Sequence, residues 1–136
     1  MVKLDKEMKE EMSKMKIFML ATASKKGIPN VVPIGMLFLQ PDDETVWIVD
    51  NFMKKTFANI EENPVASFVI WNPEGTMSYQ VKGKIVIENS GKDYEKAVKI
   101  AHEKKKELPA KNLMKMKITE VYSVKPGPTA GDLLLG

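Results

Sequence analysis

The sequence has no cysteine. Disulfides, thiolate metal sites and cysteine nucleophiles are therefore excluded, and a cytosolic setting is compatible. It has no arginine either, so all 21 basic residues are lysine. Arginine supplies the planar fork for bidentate contacts to phosphate and guanine. Without it, sequence-specific binding to nucleic acid is not expected. A lysine can still hold a phosphate as a point charge. The one histidine, His102, lies among lysines and glutamates. A histidine-rich metal site is excluded, and a histidine-based triad would have to use His102, which no nucleophile motif accompanies. No apolar run approaches the length of a membrane span. The first residues alternate in charge and contain no signal-peptide h-region. The expectation is a cytoplasmic protein without membrane attachment.

What remains is a chain of 136 residues with a net charge of +3 and a pI near 9.0. That length suits one domain, residues 1–136, with a core that needs no staples. Lys3 to about Met15 reads as an amphipathic helix, because Leu4, Met8, Met12 and Met15 recur at helical spacing. Ile17 to Ala23 reads as a buried strand. Ser24-Lys25-Lys26-Gly27 is a turn, and Ile28 to Leu39 is a second strand pairing back on the first. Pro29 and Pro33 remove ladder donors from that strand, which implies an edge, a bulge or the end of pairing. Gly35 would let a ligand or another backbone approach. Thr45 to Val49 is a third strand and Val65 to Trp71 a fourth, followed by a turn at Asn72-Pro73-Glu74-Gly75.

Met77 to Glu88 is a fifth strand with clean alternation, Tyr79, Val81, Gly83, Ile85 and Ile87 on one face and Gln80, Lys82 and Lys84 on the other. Gly83 suggests a bend or a close backbone contact. A helix spans about Tyr94 to Glu107, with Asp93 as its N-cap and Pro109 as its stop. Leu113 to Lys125 is a sixth strand, with Met114, Met116, Ile118 and Tyr122 on one face. The tail from Pro126 is too rich in glycine and proline to continue the sheet, and such a tail frays unless it docks. This order of elements does not fit a doubly wound fold. It predicts a mainly β protein with peripheral helices, built as a mostly antiparallel barrel.

Val46 to Ile60 runs from a strand through Asp50-Asn51 into a helix that ends by Glu62, before Asn63-Pro64. The first turn of this helix carries Lys54, Lys55 and Thr56. A helix N-terminus offers unpaired N–H groups and partial positive charge. Two readings are open: a surface helix with solvated lysines, or a phosphate seat.

Several segments recur together: Ala21-Thr22-Ala23 before the glycine turn, Pro29 to Met36, Asp50-Asn51-Phe52 leading to Lys55-Thr56 and Asn59, Lys82-Gly83-Lys84, and Val124 to Pro128. In this pattern the chain resembles the FMN-binding split-barrel family, the pyridoxamine 5'-phosphate oxidase-like proteins, and its small stand-alone FMN-binding members in particular. The resemblance implies a six-stranded antiparallel split β-barrel that forms a homodimer, with FMN at the interface. It places Lys55 and Thr56 on the FMN phosphate, with Lys54 assisting. It lays Val32, Pro33, Ile34, Gly35 and Met36 along the flavin ring, and Val49, Asp50 and Asn51 near the ribityl chain and ring edge. Asn59 takes a structural or a ligand role. Gln80 and the tail from Pro126 to Gly131 would reach the partner subunit's flavin. Authentic pyridoxamine 5'-phosphate oxidases use arginines for the FMN and substrate phosphates, so oxidation of pyridoxamine phosphate is not expected here. With no protein-borne general base in view, a flavin would carry hydride or electron transfer to a redox substrate or from an electron donor. A non-catalytic FMN carrier or electron-transfer module, or a split barrel holding a deazaflavin or haem, are the alternatives.

Overall fold

The computed structural model describes residues 1–74 and 77–136. Among these, three helices and eight strands follow in the order α1 (Lys6–Ser13), β1 (Phe18–Ala23), β2 (Pro29–Ile34), β3 (Leu37–Leu39), β4 (Thr45–Asp50), α2 (Lys55–Glu62), β5 (Val65–Trp71), β6 (Ser78–Glu88), α3 (Lys92–Lys104), β7 (Asn112–Ser123) and β8 (Leu133–Leu135). The strands form one antiparallel sheet in the order β2-β1-β5-β6-β7-β4-β3, with β8 added to β7. β2 and β3 stand at opposite ends of this path, yet only Gly35 and Met36 separate them in the chain. The sheet therefore curls into a half-barrel, its two edge strands joined through that link.

The count of six strands is corrected to eight. The long second strand breaks at Gly35-Met36 into β2 and β3, which pair with different neighbours, β1 and β4. The tail docks as well: Leu133 and Leu135 sit opposite Tyr122 and Val121. Ser123 accepts from the Gly131 N–H at 2.6 Å and donates its own N–H to the Asp132 carbonyl at 2.9 Å, which closes that hairpin. The prolines of β2 lie on an edge strand, where a missing donor is harmless. The glycine of the predicted turn after Trp71, Gly75, lies outside the described residues. Its Asn72 side chain accepts the Glu74 N–H at 3.0 Å, an Asx turn.

The main core fills the curl. Leu20, Val46, Ile48, Phe68, Ile70 and Val81 are among its buried side chains, and α1 closes one end with Leu4, Met8 and Met12. Asp5 caps α1 by accepting the Met8 N–H at 2.9 Å. The buried Tyr79 hydroxyl donates to Glu7 at 2.9 Å and pins the helix to the sheet. Burial, and then Glu7, push this phenol well above its ordinary pKa. A second, smaller core forms between α3 and β4, from Ala97, Ala101, Trp47, Val49, Ala110 and Leu113.

α3 begins after Gly91, not at an Asp93 cap. The Asp93 carboxylate instead joins Glu88 on Lys115, and the bond from Lys115 holds it below the ordinary carboxylate range. The helix stops at Lys104, short of Pro109, because the chain turns back there: Leu108 donates to the Lys105 carbonyl, and His102 Nε2 meets the Leu108 carbonyl at 2.9 Å.

The register of β6 on β7 slips at Gly83, with Lys82 opposite Glu120 and Gly83 opposite Ile118. Thr119 is the extra residue of a bulge. A one-residue insertion swaps the faces of everything beyond it. This is why Val121 is buried and Tyr122 is not, against the expected alternation. Gly83 leaves no room for a side chain. A Cβ there would lie 2.8 Å from Met116 Cγ and still closer to the Lys117 carbonyl. Gly83→Ala is expected to lose about 3 kcal/mol of stability, a large overpacking cost, as a lower urea midpoint with an unchanged slope.

Candidate functional site

Beside the Gly35-Met36 link, between β2 and the end of β4, a cleft of about 570 Å³ opens. One wall is β2 and its link, through Val32, Pro33, Ile34, Gly35 and Met36. The other comes from the end of β4 and the segment after it, through Val49 and Asn51 to Met53. The start of α2 closes one end with Lys54, Lys55 and Thr56. Ten of the thirteen residues named from sequence thus come together at one place. A cleft of this size lies within the range of roughly 300–1,000 Å³ that small-molecule and cofactor sites occupy.

The end formed by α2 is cationic and short of partners. Lys54 occupies the N-cap position with no side-chain hydrogen bond to the helix, and no acid lies in the first turn. Lys54 and Lys55 are exposed, and among the described residues neither forms an ion pair. Thr56 is buried, and its hydroxyl sits 3.0 Å from Asn30 Nδ2. Asn30 also reaches the buried Thr22 hydroxyl at 3.3 Å, which Asn59 Nδ2 contacts at 3.1 Å. This polar cluster ties α2 to β1 and β2 at a fixed angle. Asn59 does not line the cleft; its amide is engaged with Thr22.

Two other named residues lie elsewhere. Asp50 is buried and turned into the protein, where it accepts the Met53 N–H at 3.0 Å and Asn112 Nδ2 at 2.9 Å. It shapes the bend that leads from β4 to α2. Gln80 lies on β6, opposite Val69 and Tyr122, away from the cleft. The exposed stretch from Pro126 to Gly131 lies beyond the end of β7 and does not line it.

Asn30, Phe52 and Met53 line the cleft without having been named. Asn30 carried a signal: it shares a strand face with Val32 and Ile34, so it is a polar residue in an inward-facing series.

Asn51 stands at the neck of the cleft. Its side-chain oxygen accepts the Ala110 N–H at 3.0 Å, and its amino group lies 3.5 Å from the Met36 sulfur. Among the described residues, no carboxylate, histidine or tyrosine lines the cleft, and its titratable side chains are the two lysines. Such a site can bind, orient and exclude water. It offers no carboxylate or imidazole to act as a base. Among the described residues, no group of three His, Cys, Asp or Glu side chains is placed to hold a metal ion.

Fold and cleft together define a small half-barrel protein whose largely apolar slot has a lysine-bearing helix start at one end. A sequence model of pyridoxamine 5'-phosphate oxidase matches residues 4–125. An uncharacterised protein of Methanocaldococcus jannaschii is 38% identical over 134 residues, which span 98% of this chain and 89% of that protein. The chain belongs to the pyridoxamine 5'-phosphate oxidase family. Among solved structures, HupZ of Group A Streptococcus superposes with a TM-score of 0.79 at 27% identity, over 94% of this chain and 99% of that one. An FMN-binding protein of Syntrophomonas wolfei gives a TM-score of 0.75 at 21% identity, over 91% and 90%. The haem-storage protein HutZ of Vibrio cholerae shares the fold, with a TM-score of 0.65 at 16% identity over 89% and 94%. So does an F420 reductase, with a TM-score of 0.66 at 17% identity over 87% and 98%.

Asp50→Ala would leave the Met53 N–H and the Asn112 amide without their acceptor. Each stranded donor costs about 1–3 kcal/mol, so a clear loss is expected in chemical denaturation. Gln80→Ala, by contrast, should stay within about 0.5 kcal/mol of the parent.

Proposed function

We propose that the protein is an FMN-binding flavoprotein that serves as an oxidoreductase or flavin reductase, with one flavin in each seam of a homodimer. The observation that carries this is the juxtaposition of an uncapped, lysine-bearing helix start with an apolar slot in one cleft. Lys55, Thr56 and the free N–H groups of the first turn of α2 would hold the phosphate. Lys54 adds charge at the same end. Val32, Ile34 and Val49 would flank the ring, and Asn51 supplies a polar group at its edge. The FMN-binding protein from Syntrophomonas wolfei, which has this fold, supports the choice of FMN. When bound, the flavin supplies hydride or electron transfer. The chain itself contributes placement, an apolar environment and positive charge.

The homodimer rests on an exposed sheet face. Met19, Val31, Val65 and Trp71 stand outward on β1, β2 and β5, each exposing more than two fifths of its surface. An apolar sheet face of this kind marks an association surface. Pro33 is the register partner of Met19 and also lines the cleft, so a second copy packed on this face would reach the ligand.

The purified protein is expected to be yellow, with the absorption bands of oxidised FMN, and FMN should be identified after denaturation. Release of haem or a deazaflavin instead would replace the cofactor, and a colourless protein indifferent to added FMN would remove the flavin reading. Removing a charged hydrogen-bonding group costs about 1.5–3 kcal/mol, so Lys55→Ala should weaken FMN binding by roughly tenfold to a hundredfold. Light scattering should report a dimer for the parent chain and a monomer for Met19→Lys with Val31→Lys; an unchanged mass in that variant would move the interface off this face.

A further inference from the structure

Asn51 is held by a chain of contacts that begins on α3, outside the cleft. The Tyr94 hydroxyl donates to the Ala110 carbonyl at 2.8 Å. The Ala110 N–H donates to Asn51 Oδ1 at 3.0 Å. A backbone N–H can only donate. The Asn51 amide is therefore fixed with its oxygen toward Ala110 and its amino group toward the cleft. There the amino group finds only the Met36 sulfur at 3.5 Å, and a thioether is a weak acceptor. The cleft wall thus presents a donor of set polarity that is poorly satisfied.

Ala110 adds a second, independent observation. It is buried, and its φ is +43°, a left-handed conformation that a residue with a Cβ adopts at a cost. Strain of this kind persists where the surroundings over-determine it, and it clusters at functional sites. Here Tyr94 holds one side of Ala110, and the Lys111 N–H, bonded to the Asp50 carbonyl at 2.8 Å, holds the next peptide. Met36 and Val49, both cleft residues, pack in the same small core as Ala97, Ala101 and Tyr94. One face of that core is the back wall of the cleft.

We propose that Tyr94 and Ala110 are positioning residues that set Asn51 as an obligate hydrogen-bond donor to an acceptor atom of the bound flavin. This rests on the flavin reading above. The donor favours electron-rich acceptors and stabilises negative charge that builds on the ring during reduction. It thereby selects for acceptor-bearing ligands and favours the reduced flavin.

Three variants test this with FMN: Asn51→Asp, Tyr94→Phe and, as a control, Tyr79→Phe, which removes a buried hydroxyl at the α1 end. Asp can still accept the Ala110 N–H, but it replaces the donor with negative charge. Asn51→Asp should therefore raise the FMN dissociation constant at least about tenfold, the scale of one lost hydrogen bond, and lower the bound-flavin midpoint potential. Tyr94→Phe should raise the dissociation constant about threefold, a fraction of one hydrogen bond, and shift the potential in the same direction. Tyr79→Phe should leave both at the parent values while lowering the melting temperature. If Tyr94→Phe behaves like Tyr79→Phe, its role is structural and the positioning role is overturned. Parent affinity and potential in Asn51→Asp overturn it too. A parent protein that takes up no FMN overturns the flavin reading along with it.

Discussion

The Gly35-Met36 link joins the two ends of the sheet path, and most of the structure follows from that constraint. A sheet whose terminal strands are adjacent in the chain has to curl. Its natural twist assists the curl, and the two strands that the link joins pair with different neighbours, β2 with β1 and β3 with β4. The Val49 N–H bonds the Met36 carbonyl at 3.1 Å, which carries the β3–β4 ladder back into the link. The cleft opens beside that link, between β2 and the end of β4, where the start of α2 closes it. Its position is a consequence of topology, and its lining is whatever the two sheet ends and the start of α2 present.

Two cores divide the work. The larger one fills the curl and supplies most of the stability, since each large apolar side chain taken from water contributes about 1.5–3 kcal/mol. The five ion pairs among the described residues all sit on partly exposed lysines, where each is worth about 1 kcal/mol or less. Packing therefore decides the fold, and lysine placement is left free for other uses. The smaller core stabilises less but backs the cleft. Met36 and Val49 face the slot on one side and α3 on the other, so the docking of α3 sets the shape of this cleft wall.

Local pattern made much of this legible. The methionine stripe of α1, the alternation along β6 and the proline-marked edge of β2 each follow from residue spacing alone, whereas the gathering of Pro33 to Met36 with Lys54 to Thr56 was legible only through the family resemblance. What was not legible depends on contacts between distant residues. The bulge at Thr119 is set by the slip opposite Gly83, and it moved Tyr122 off the buried face. Asp93 looked like a cap because nothing nearby in sequence reveals Lys115. The tail looked like a free end because the strand it joins is complete without it. Asp50 reads as a site residue from its place beside Asn51, and only the fold shows its carboxylate turned inward. The bond from Ala110 to Asn51 spans 59 positions, beyond any periodicity.

The charge of the cleft bears on what else it could take. A lysine is a point charge and fixes no orientation, whereas an arginine fork does. Orientation of a bound phosphate here would come from the backbone N–H groups of α2 and from Thr56, which the cluster of Asn30, Thr22 and Asn59 holds in place. That arrangement suits a terminal phosphate monoester approached along the helix axis. Both lysines of the cleft lie at this same end, and the rest of its lining is uncharged. One chain thus supplies one cationic end to the cleft. A flavin phosphate would fill it, and a substrate carrying a phosphate of its own would need a second cationic seat from another copy of the chain. A redox partner that meets the flavin through an uncharged or weakly polar group makes no such demand, and the apolar wall of β2 beside the exposed sheet face fits that class better.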